Sequence, residues 1–321
     1  MIGVMVTAQM ARKVAVAAAY GGGGIGLVGG ALWGVMKTEA TLARRMIGDA
    51  TGKPPSGDGV YGRELDGEPI RFAMLGDSAA AGYGVHDGLE TPAALIGEGL
   101  SNMTQRPVRV TSHAFVGAQT TDLQGQIDAV LPYEPEVVAI VIGTNDVTHG
   151  VLPPTSLQSL REALQRLRAA GCEVVVGTCP DLGTVEPLRQ PLRSFAHGWS
   201  RYLAAQQTIV VVEEGGRSVS LGDLLGHDFA AAPHELFGED RFHPSPTGYV
   251  SMVAAMLPSI GNACGVEDGD TGEYTPGAVL PVSFAAKRAA AHSGTEVSGA
   301  TIDGERRGPG GRWAAMRRLR R

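Results

Sequence analysis

The chain has 321 residues, and this length leaves open one large domain or two small ones. Its formal net charge of −6 argues against a general nucleic-acid-binding protein, and its 43% of apolar residues are enough to fill a core. Aromatic residues are only 5% of the chain, which excludes an obvious stacking platform for bases or sugars. No nucleic-acid partner is therefore expected.

An uncharged stretch, Val14–Met36, follows Arg12 and Lys13 near the N-terminus. Its 23 residues exceed the roughly 20 that a helix needs to cross the hydrocarbon core of a bilayer. No small-residue cleavage site follows its apolar part, which favours an uncleaved signal anchor over a cleaved signal peptide. We expect residues 1–37 to form this anchor, with the membrane as a partner, and the protein to be membrane-anchored, in the cell envelope or secreted.

The same stretch contains a glycine pattern, Gly24-Ile25-Gly26-Leu27-Val28-Gly29, that matches a dinucleotide-binding fingerprint. The fingerprint requires a second apolar strand that ends in an acidic residue about 20 residues further on, and no such strand follows. A dinucleotide site is therefore not expected here. Residues 38–68 are instead predicted to form a helical stalk and a linker rich in Gly and Pro.

Short apolar runs beyond this linker predict five β-strands. The run from residue 137 to residue 142 is continuously apolar, as expected for a strand that is buried on both faces. The predicted strands are Ile70–Leu75, Val108–Ser112, Val137–Ile142, Val174–Thr178 and Ile209–Val212.

Helical patterns fill the gaps between the predicted strands. Thr91-Pro92 is typical of a helix start, and the clearest helix is predicted over Ser156–Ala170. That helix has a possible capping box of Thr155 and Gln158, and Gly171 follows its end. Another helix carries an apolar stripe of Leu123, Ile127, Val130 and Leu131.

Strands that alternate with helices predict a parallel sheet with helices on both faces. We therefore expect a three-layer α/β domain over residues 69–262. Residues 263–321 have little periodicity and are predicted to be disordered. Their basic end, Arg312–Arg321, fits either a solvated tail or a contact with an anionic lipid surface.

Three cysteines leave at least one thiol free. Cys172 and Cys179 flank a predicted strand, and seven extended residues separate their Cα atoms by roughly 20 Å, beyond the reach of a disulfide. Either could pair with Cys264, but buried, inert thiols are favoured.

A serine, a glycine and an asparagine follow the ends of the first three predicted strands. Ser78 comes directly after the first strand, and Gly117 and Asn145 come after the second and third. The carboxyl ends of parallel strands meet at one edge of a sheet, where ligands of open α/β folds bind. Asp240 and His243 are three residues apart, so that the carboxylate can hold one imidazole nitrogen while the other faces Ser78.

Four sequence blocks occur in the order found in the SGNH or GDSL hydrolases, and the chain resembles that family. The blocks are Gly76-Asp77-Ser78, Gly117, Gly143-Thr144-Asn145-Asp146 and Asp240-Arg241-Phe242-His243. Ala79 departs from the commonest form of the first block, which has leucine there.

The resemblance implies a three-layer αβα, flavodoxin-like fold with a five-stranded parallel sheet. It also implies a serine esterase in which Ser78 is the nucleophile, His243 the base and Asp240 the acid that orients it. The family's oxyanion hole corresponds to the backbone N–H groups of Ser78 and Gly117 and the side chain of Asn145. Neither a cofactor nor a metal is implied, and the expected partner is an acyl ester: a lipid, a small ester or an acylated carbohydrate.

A metal site is the competing interpretation of the Asp240 region. His234, Glu235 and Glu239 lie close to Asp240 and His243 in sequence, but no zinc-protease spacing is present and no third ligand stands at the required distance. We therefore predict no metal. His86 is either at the edge of the pocket or an ordinary surface histidine.

Two other functions stay open at this point. One is an acyltransferase that uses the same triad with a lipid or carbohydrate acceptor, and the other is a non-catalytic, membrane-tethered binding module.

Overall fold

An eight-stranded mixed sheet runs through the protein in the computed structural model, which describes residues 34–35, 37–42, 52–222, 233–266, 286–287, 289–290, 296–302 and 305–310. Its strands are β1 (Gly59–Tyr61), β2 (Ile70–Gly76), β3 (Val108–Ser112), β4 (Val137–Val141), β5 (Glu173–Gly177), β6 (Arg217–Val219), β7 (Glu296–Ile302) and β8 (Glu305–Gly310). From edge to edge their order is β1-β3-β2-β4-β5-β6-β7-β8.

The five central strands, β3, β2, β4, β5 and β6, are all parallel to their neighbours. Numbered along the chain, these five have the order 2-1-3-4-5, which is that of flavodoxin-like folds. The outer strands β1, β7 and β8 pair antiparallel. The predicted flavodoxin-like parallel sheet is therefore confirmed, with antiparallel additions at both edges.

Helices cover both faces of this sheet and complete the three layers. Alternate side chains of β2 separate the two cores: Phe72 and Met74 pack with the helices at residues 92–104 and 246–263, whereas Ala73 and Leu75 pack with those at residues 123–130, 153–169 and 192–213. The helices are α1 (Ser78–Ala81), α2 (Pro92–Thr104), α3 (Leu123–Val130), α4 (Thr144–His149), α5 (Pro153–Ala169), α6 (Leu192–Glu213), α7 (Pro233–Leu236) and α8 (Pro246–Ala263).

The predicted strand Ile209–Val212 is wrong, because these residues form the last turn of α6. Val210 and Val211 are buried against the sheet, and tertiary packing of this kind overrides the strand preference of β-branched residues. The fifth parallel strand is β6, which follows a turn at Gly215 with a φ of +86°. With only three residues, β6 is too short to be recognised from its pattern.

The helix starts and ends that were predicted from the sequence agree in part with the structure. Thr91 caps α2, since its hydroxyl accepts a hydrogen bond from the N–H of Ala94 at 3.4 Å, and Gly171 follows α5 with a φ of +86°. The capping box of Thr155 with Gln158 is wrong, because α5 already begins at Pro153 and encloses Thr155. Proline favours the first helical position, so the helix begins earlier than the capping pattern indicated.

Segments on both sides of the predicted domain also join the sheet. Strand β1 lies within the predicted linker, and β7 and β8 lie within the tail that we expected to be disordered. The Glu296 carboxylate of β7 is buried, where it pairs with Arg217 at 3.0 Å and accepts a hydrogen bond from Ser259 at 2.6 Å. The described residues of the tail therefore include two β-strands, whereas the sequence predicted disorder there.

The three thiols are free, with Cys172 and Cys179 buried and Cys264 partly buried. Among the described residues, none of the helices has the length and apolar character needed to cross a membrane. The predicted anchor Val14–Met36 lies outside the described residues except for positions 34 and 35. The glycine pattern at residues 24–29 and the basic end of the chain also lie outside the described residues.

Candidate active site

Ser78 stands at the carboxyl edge of the sheet, as the first residue of α1 directly after β2. Asp77 caps this helix by accepting a hydrogen bond from the N–H of Ala79 at 3.0 Å. Gly76 turns the chain with a φ of +135°, and a Cβ atom there would come within 1.9 Å of the Val141 carbonyl oxygen. Only glycine therefore fits the turn that presents the Ser78 hydroxyl.

Asp240, His243 and Ser78 form one continuous hydrogen-bonded chain. The Asp240 Oδ2 atom lies 2.6 Å from Nδ1 of His243, and Nε2 of His243 lies 2.9 Å from Oγ of Ser78. The other carboxylate oxygen of Asp240 accepts from the N–H groups of Phe242 at 2.9 Å and of His243 at 3.0 Å. The same carboxylate thus fixes both the backbone turn and the imidazole ring.

The environment of Asp240 favours its ionised form. Burial raises its pKa, but the hydrogen bond from His243, the charge of His243 and the two backbone N–H groups outweigh burial, so the pKa lies below its usual value. A carboxylate next to Nδ1 keeps the proton on that nitrogen and leaves Nε2 free to accept the Ser78 proton. The rings of Tyr83 and Phe242 pack against the imidazole, with centroids 4.6 and 4.9 Å from that of His243.

Gly117, on the loop after β3, and Asn145, in α4 after β4, lie at the same edge of the sheet. Gly117, with a φ of +85°, belongs to the loop after β3, and this loop reaches the turn at Gly76 through a bond of 3.2 Å from the Phe115 N–H to the Gly76 carbonyl. Asn145, in the first turn of α4, donates one amide hydrogen to the carbonyl of Ala118 at 3.0 Å. Its second amide hydrogen is therefore not needed to hold the loop.

A cavity with a volume of about 40 Å³ opens at Ser78 and His243. Its walls are mainly apolar and come from α1, the end of β4 and the start of α4, the loops after β5 and β6, the turn that carries His243, and α8. They include Val141, Pro180, Leu182, Val185, Leu221, Phe242 and Met252. Gly117, Asn145 and His86 do not line this cavity, and His86 is exposed at the surface.

Two buried glutamines, which we did not predict, hold the strand ends that carry the site. Gln126 accepts from the N–H of Gly76 at 2.7 Å and donates to the carbonyl of the same residue at 2.9 Å. Gln207 bonds the carbonyl of Ile142 at 3.0 Å and the N–H of Cys179 at 2.8 Å. Gln126 lies on the apolar stripe of α3, and a polar residue at such a position is the signal that could have revealed it.

The Asp77 carboxyl group has a second unusual feature, because it is 1% exposed and its Oδ2 atom has no hydrogen-bond partner among the described residues. Burial raises the pKa of Asp77 to about 7, with a further contribution from the nearby Asp146 carboxylate. The N–H groups of Ala79, Thr144 and Ala80 act in the opposite direction. Asp77 is therefore substantially protonated near neutral pH, unlike Asp240.

Comparison with known proteins points to one family. Residues 74–250 match the model of the GDSL-like lipase/acylhydrolase family. The GDSL-like esterase Rv1075c of Mycobacterium tuberculosis is 40% identical over 234 residues, which is 68% of this chain and 73% of the relative.

A solved structure with a TM-score of 0.50 shares the fold of this chain. LAE5, an α/β hydrolase enzyme from the metagenome of Lake Arreo in Spain, aligns with a TM-score of 0.50 and 18% identity, over 60% of this chain and 95% of its own. Axe2, an acetylxylan esterase from Geobacillus stearothermophilus, aligns with a TM-score of 0.45 and 18% identity, over 65% of this chain and 97% of its own.

The matched residues contain Ser78 and the Asp240–His243 turn, and they include four of the five parallel strands and the end of β2. The chain therefore belongs to the GDSL-like lipase/acylhydrolase family and is a carboxylic ester hydrolase of the GDSL type.

Proposed function

We propose that the protein is a serine esterase that cleaves a carboxylic ester through an acyl-enzyme intermediate. The observation that carries this proposal is the hydrogen-bonded chain from Asp240 through His243 to Ser78, with distances of 2.6 and 2.9 Å, at the mouth of a cavity. A serine hydroxyl becomes an effective nucleophile when a base removes its proton. Here His243 is that base, and Asp240 orients it and stabilises its charge.

The reaction has two halves with the same proton carrier. Ser78 Oγ attacks the ester carbonyl carbon while Nε2 of His243 takes its proton, and the tetrahedral intermediate then collapses as His243 returns the proton to the departing alcohol oxygen. Water attacks the acyl-enzyme, giving one proton to His243. The acid leaves when that proton returns to Ser78 Oγ.

The negative charge on the carbonyl oxygen requires hydrogen-bond donors. We assign this role to the backbone N–H groups of Ser78 and Gly117 and to the second amide hydrogen of Asn145. The assignment is supported by the bond that fixes the Asn145 amide against Ala118 at 3.0 Å. Removal of one such donor typically lowers turnover by about 10²–10³-fold, so we expect Asn145→Ala to reduce kcat to this extent.

The apolar cavity at Ser78 is suited to the acyl group of the ester. A water molecule needs about 10–15 Å³ of such volume, so a cavity of about 40 Å³ accepts a short acyl chain of a few heavy atoms. Longer chains would have to displace the walls at Leu182, Val185 or Leu221. Hydrolysis is therefore expected to be fastest for short acyl groups.

A series of aryl esters from acetyl to palmitoyl tests this function directly. We expect measurable hydrolysis with a maximum at short chains, and essentially complete loss with Ser78→Ala, whose fold is checked by circular dichroism. Retained turnover in folded Ser78→Ala would overturn the mechanism. Labelling of Ser78 by a fluorophosphonate provides a second readout, because only an activated serine reacts.

Membrane anchoring through Val14–Met36 is a separate part of the proposal and is supported by the length of this uncharged stretch. It predicts that the full-length chain sediments with membranes and that a chain lacking residues 1–37 does not. Equal partition of the two chains would exclude this role.

A further inference from the structure

We propose that a second, larger cavity binds the alcohol part of the ester, and that this alcohol carries several hydroxyl groups. This inference rests on the proposed esterase function. The cavity has a volume of about 670 Å³, within the roughly 300–1,000 Å³ typical of small-molecule sites. It is thus much larger than the apolar cavity at Ser78 and His243, and its walls are chemically different.

Three parts of the chain enclose this second cavity. One wall is the segment 52–58, which precedes β1, and the others come from α1 and α2 and from the loop after β3. The residues from the last two walls are Ala81, Thr91, Ala93, Ser112, Ala114, Phe115 and Val116.

Neither Ser78 nor His243 lines the second cavity, but its walls adjoin the segments that carry them. Ala81 lines it and is the last residue of the four-residue helix α1, of which Ser78 is the first. The loop at Phe115 is bonded to Gly76, next to Ser78 in the chain, at 3.2 Å. On the third side, a Cβ atom added to Gly52 would lie 3.7 Å from the ring of Tyr83, and that ring packs on His243.

The two cavities differ in the chemistry of their walls. Lys53, Asp58 and Ser112 bring charged groups and a hydroxyl to the second cavity, whereas the first is mainly apolar. The acyl and alkoxy groups of an ester extend from the carbonyl carbon in different directions. The apolar cavity therefore suits the acyl group. The polar cavity suits an alcohol whose hydroxyl groups give up hydrogen bonds to water and form hydrogen bonds to these side chains instead.

The wall formed by segment 52–58 is fixed rather than loosely placed. The Asp58 carboxylate accepts from the N–H of Ser112 at 2.8 Å, and the Tyr61 hydroxyl donates to the carbonyl of Gly57 at 2.7 Å. This segment lies outside residues 74–250, which match the family model.

A substitution that fills the cavity tests the inference. Ser56 is exposed on the segment and takes no part in the proposed chemistry, so Ser56→Trp should narrow the cavity without disturbing Ser78. Gln165→Trp is the matched control, because Gln165 is exposed on α5 and does not line the cavity. Both variants are compared with the wild type on three acetate esters, ethyl acetate, glyceryl monoacetate and 6-O-acetylglucose.

For Ser56→Trp we expect kcat/KM on the two polyol esters to fall by about tenfold, because the narrower cavity costs the alcohol one or two hydrogen bonds. We expect no more than a twofold change on ethyl acetate, and no change in either class for Gln165→Trp. A fall on the glyceryl ester alone, or on the sugar ester alone, identifies which polyol the cavity accepts. Equal effects on all three esters, or no effect on any, would overturn the inference while leaving the esterase function intact.

A binding measurement tests the same subsite without turnover. Glucose and glycerol are titrated against Ser78→Ala, and their binding is followed by ligand-observed NMR. Saturable binding that the added Ser56→Trp substitution weakens supports the subsite, and its absence overturns it. Failure of the proposed function is distinguishable, because it would appear as ester hydrolysis that survives in Ser78→Ala itself.

Discussion

Asp77→Asn removes a buried titratable group next to Ser78 while keeping the local hydrogen bond. The asparagine oxygen can still accept from the N–H of Ala79, as the carboxylate does at 3.0 Å. The pKa of Asp77 is about 7 in the folded protein against 3.8 for the free group, a rise of about 3 units. At 1.36 kcal/mol per unit, this difference corresponds to about 4 kcal/mol in the free energy of unfolding.

The sign of this effect follows from which state holds the proton. Below pH 3.8, the folded and unfolded states both carry a protonated Asp77, and its stabilising contribution is complete. As the pH rises towards 7, the unfolded chain loses this proton while the folded protein keeps it, so stability falls. Above about pH 7 the carboxylate is buried as a charge, and the contribution is lost.

The assay is urea unfolding of the wild type and Asp77→Asn between about pH 4 and about pH 8. The wild type should lose stability relative to the variant by up to about 4 kcal/mol across this range, whereas the exposed Asp66→Asn should run parallel to the wild type. Subtracting the variant removes the titration of other groups, which both proteins share. Parallel curves for the wild type and Asp77→Asn would refute the raised pKa and the protonated state of Asp77.

Three further predictions concern the elements that hold the site. Asp240→Asn should lower kcat by about 10³–10⁴-fold with little loss of stability, because an amide no longer enforces the imidazole tautomer of His243. A kcat near the wild-type value would argue against the orienting role of Asp240. Gln126→Met should cost about 1–3 kcal/mol in urea unfolding, since both bonds to Gly76 are lost, whereas the exposed Gln158→Met should change it by under about 0.5 kcal/mol. Gly76→Ala should abolish soluble, active protein, because a Cβ atom would lie 1.9 Å from the Val141 carbonyl oxygen. The control Gly125→Ala, whose Cβ atom meets no other atom within 4 Å, should have neutral or increased stability. A Gly76→Ala protein with normal yield and activity would show that the turn relaxes.

The predicted sheet is correct where a strand is buried on both faces. Val137–Val141 is a continuous apolar run because helices cover both sides of a parallel sheet. A continuous apolar run led to a wrong strand prediction at Ile209–Val212, where the buried end of a helix has the same composition as a strand. Periodicity cannot separate the two over so few residues.

The candidate site was predictable to the extent that chemistry depends on residue type and order. Ser78, Asp240 and His243 are in hydrogen-bond contact, and their spacing along the chain matched the GDSL pattern. Gln126 stands out as a polar residue on the apolar stripe of α3. Its bonding partner, the contacts of Gln207 and the elevated pKa of Asp77 were not predictable, because each depends on burial and on partners far away in sequence. The wall at residues 52–58 was not predictable either, since a segment rich in Gly and Pro resembles any linker.

Asp240 and His243 share one turn, and this has a consequence for how the site assembles during folding. The acid and the base find each other within a local loop, which costs little chain entropy to close. Only one distant encounter remains, between this turn and Ser78, 165 positions away in the chain. Formation of that single contact brings the proposed acid–base unit to Ser78, so esterase activity should appear in refolding together with the docking of α8 on β4, β5 and β6.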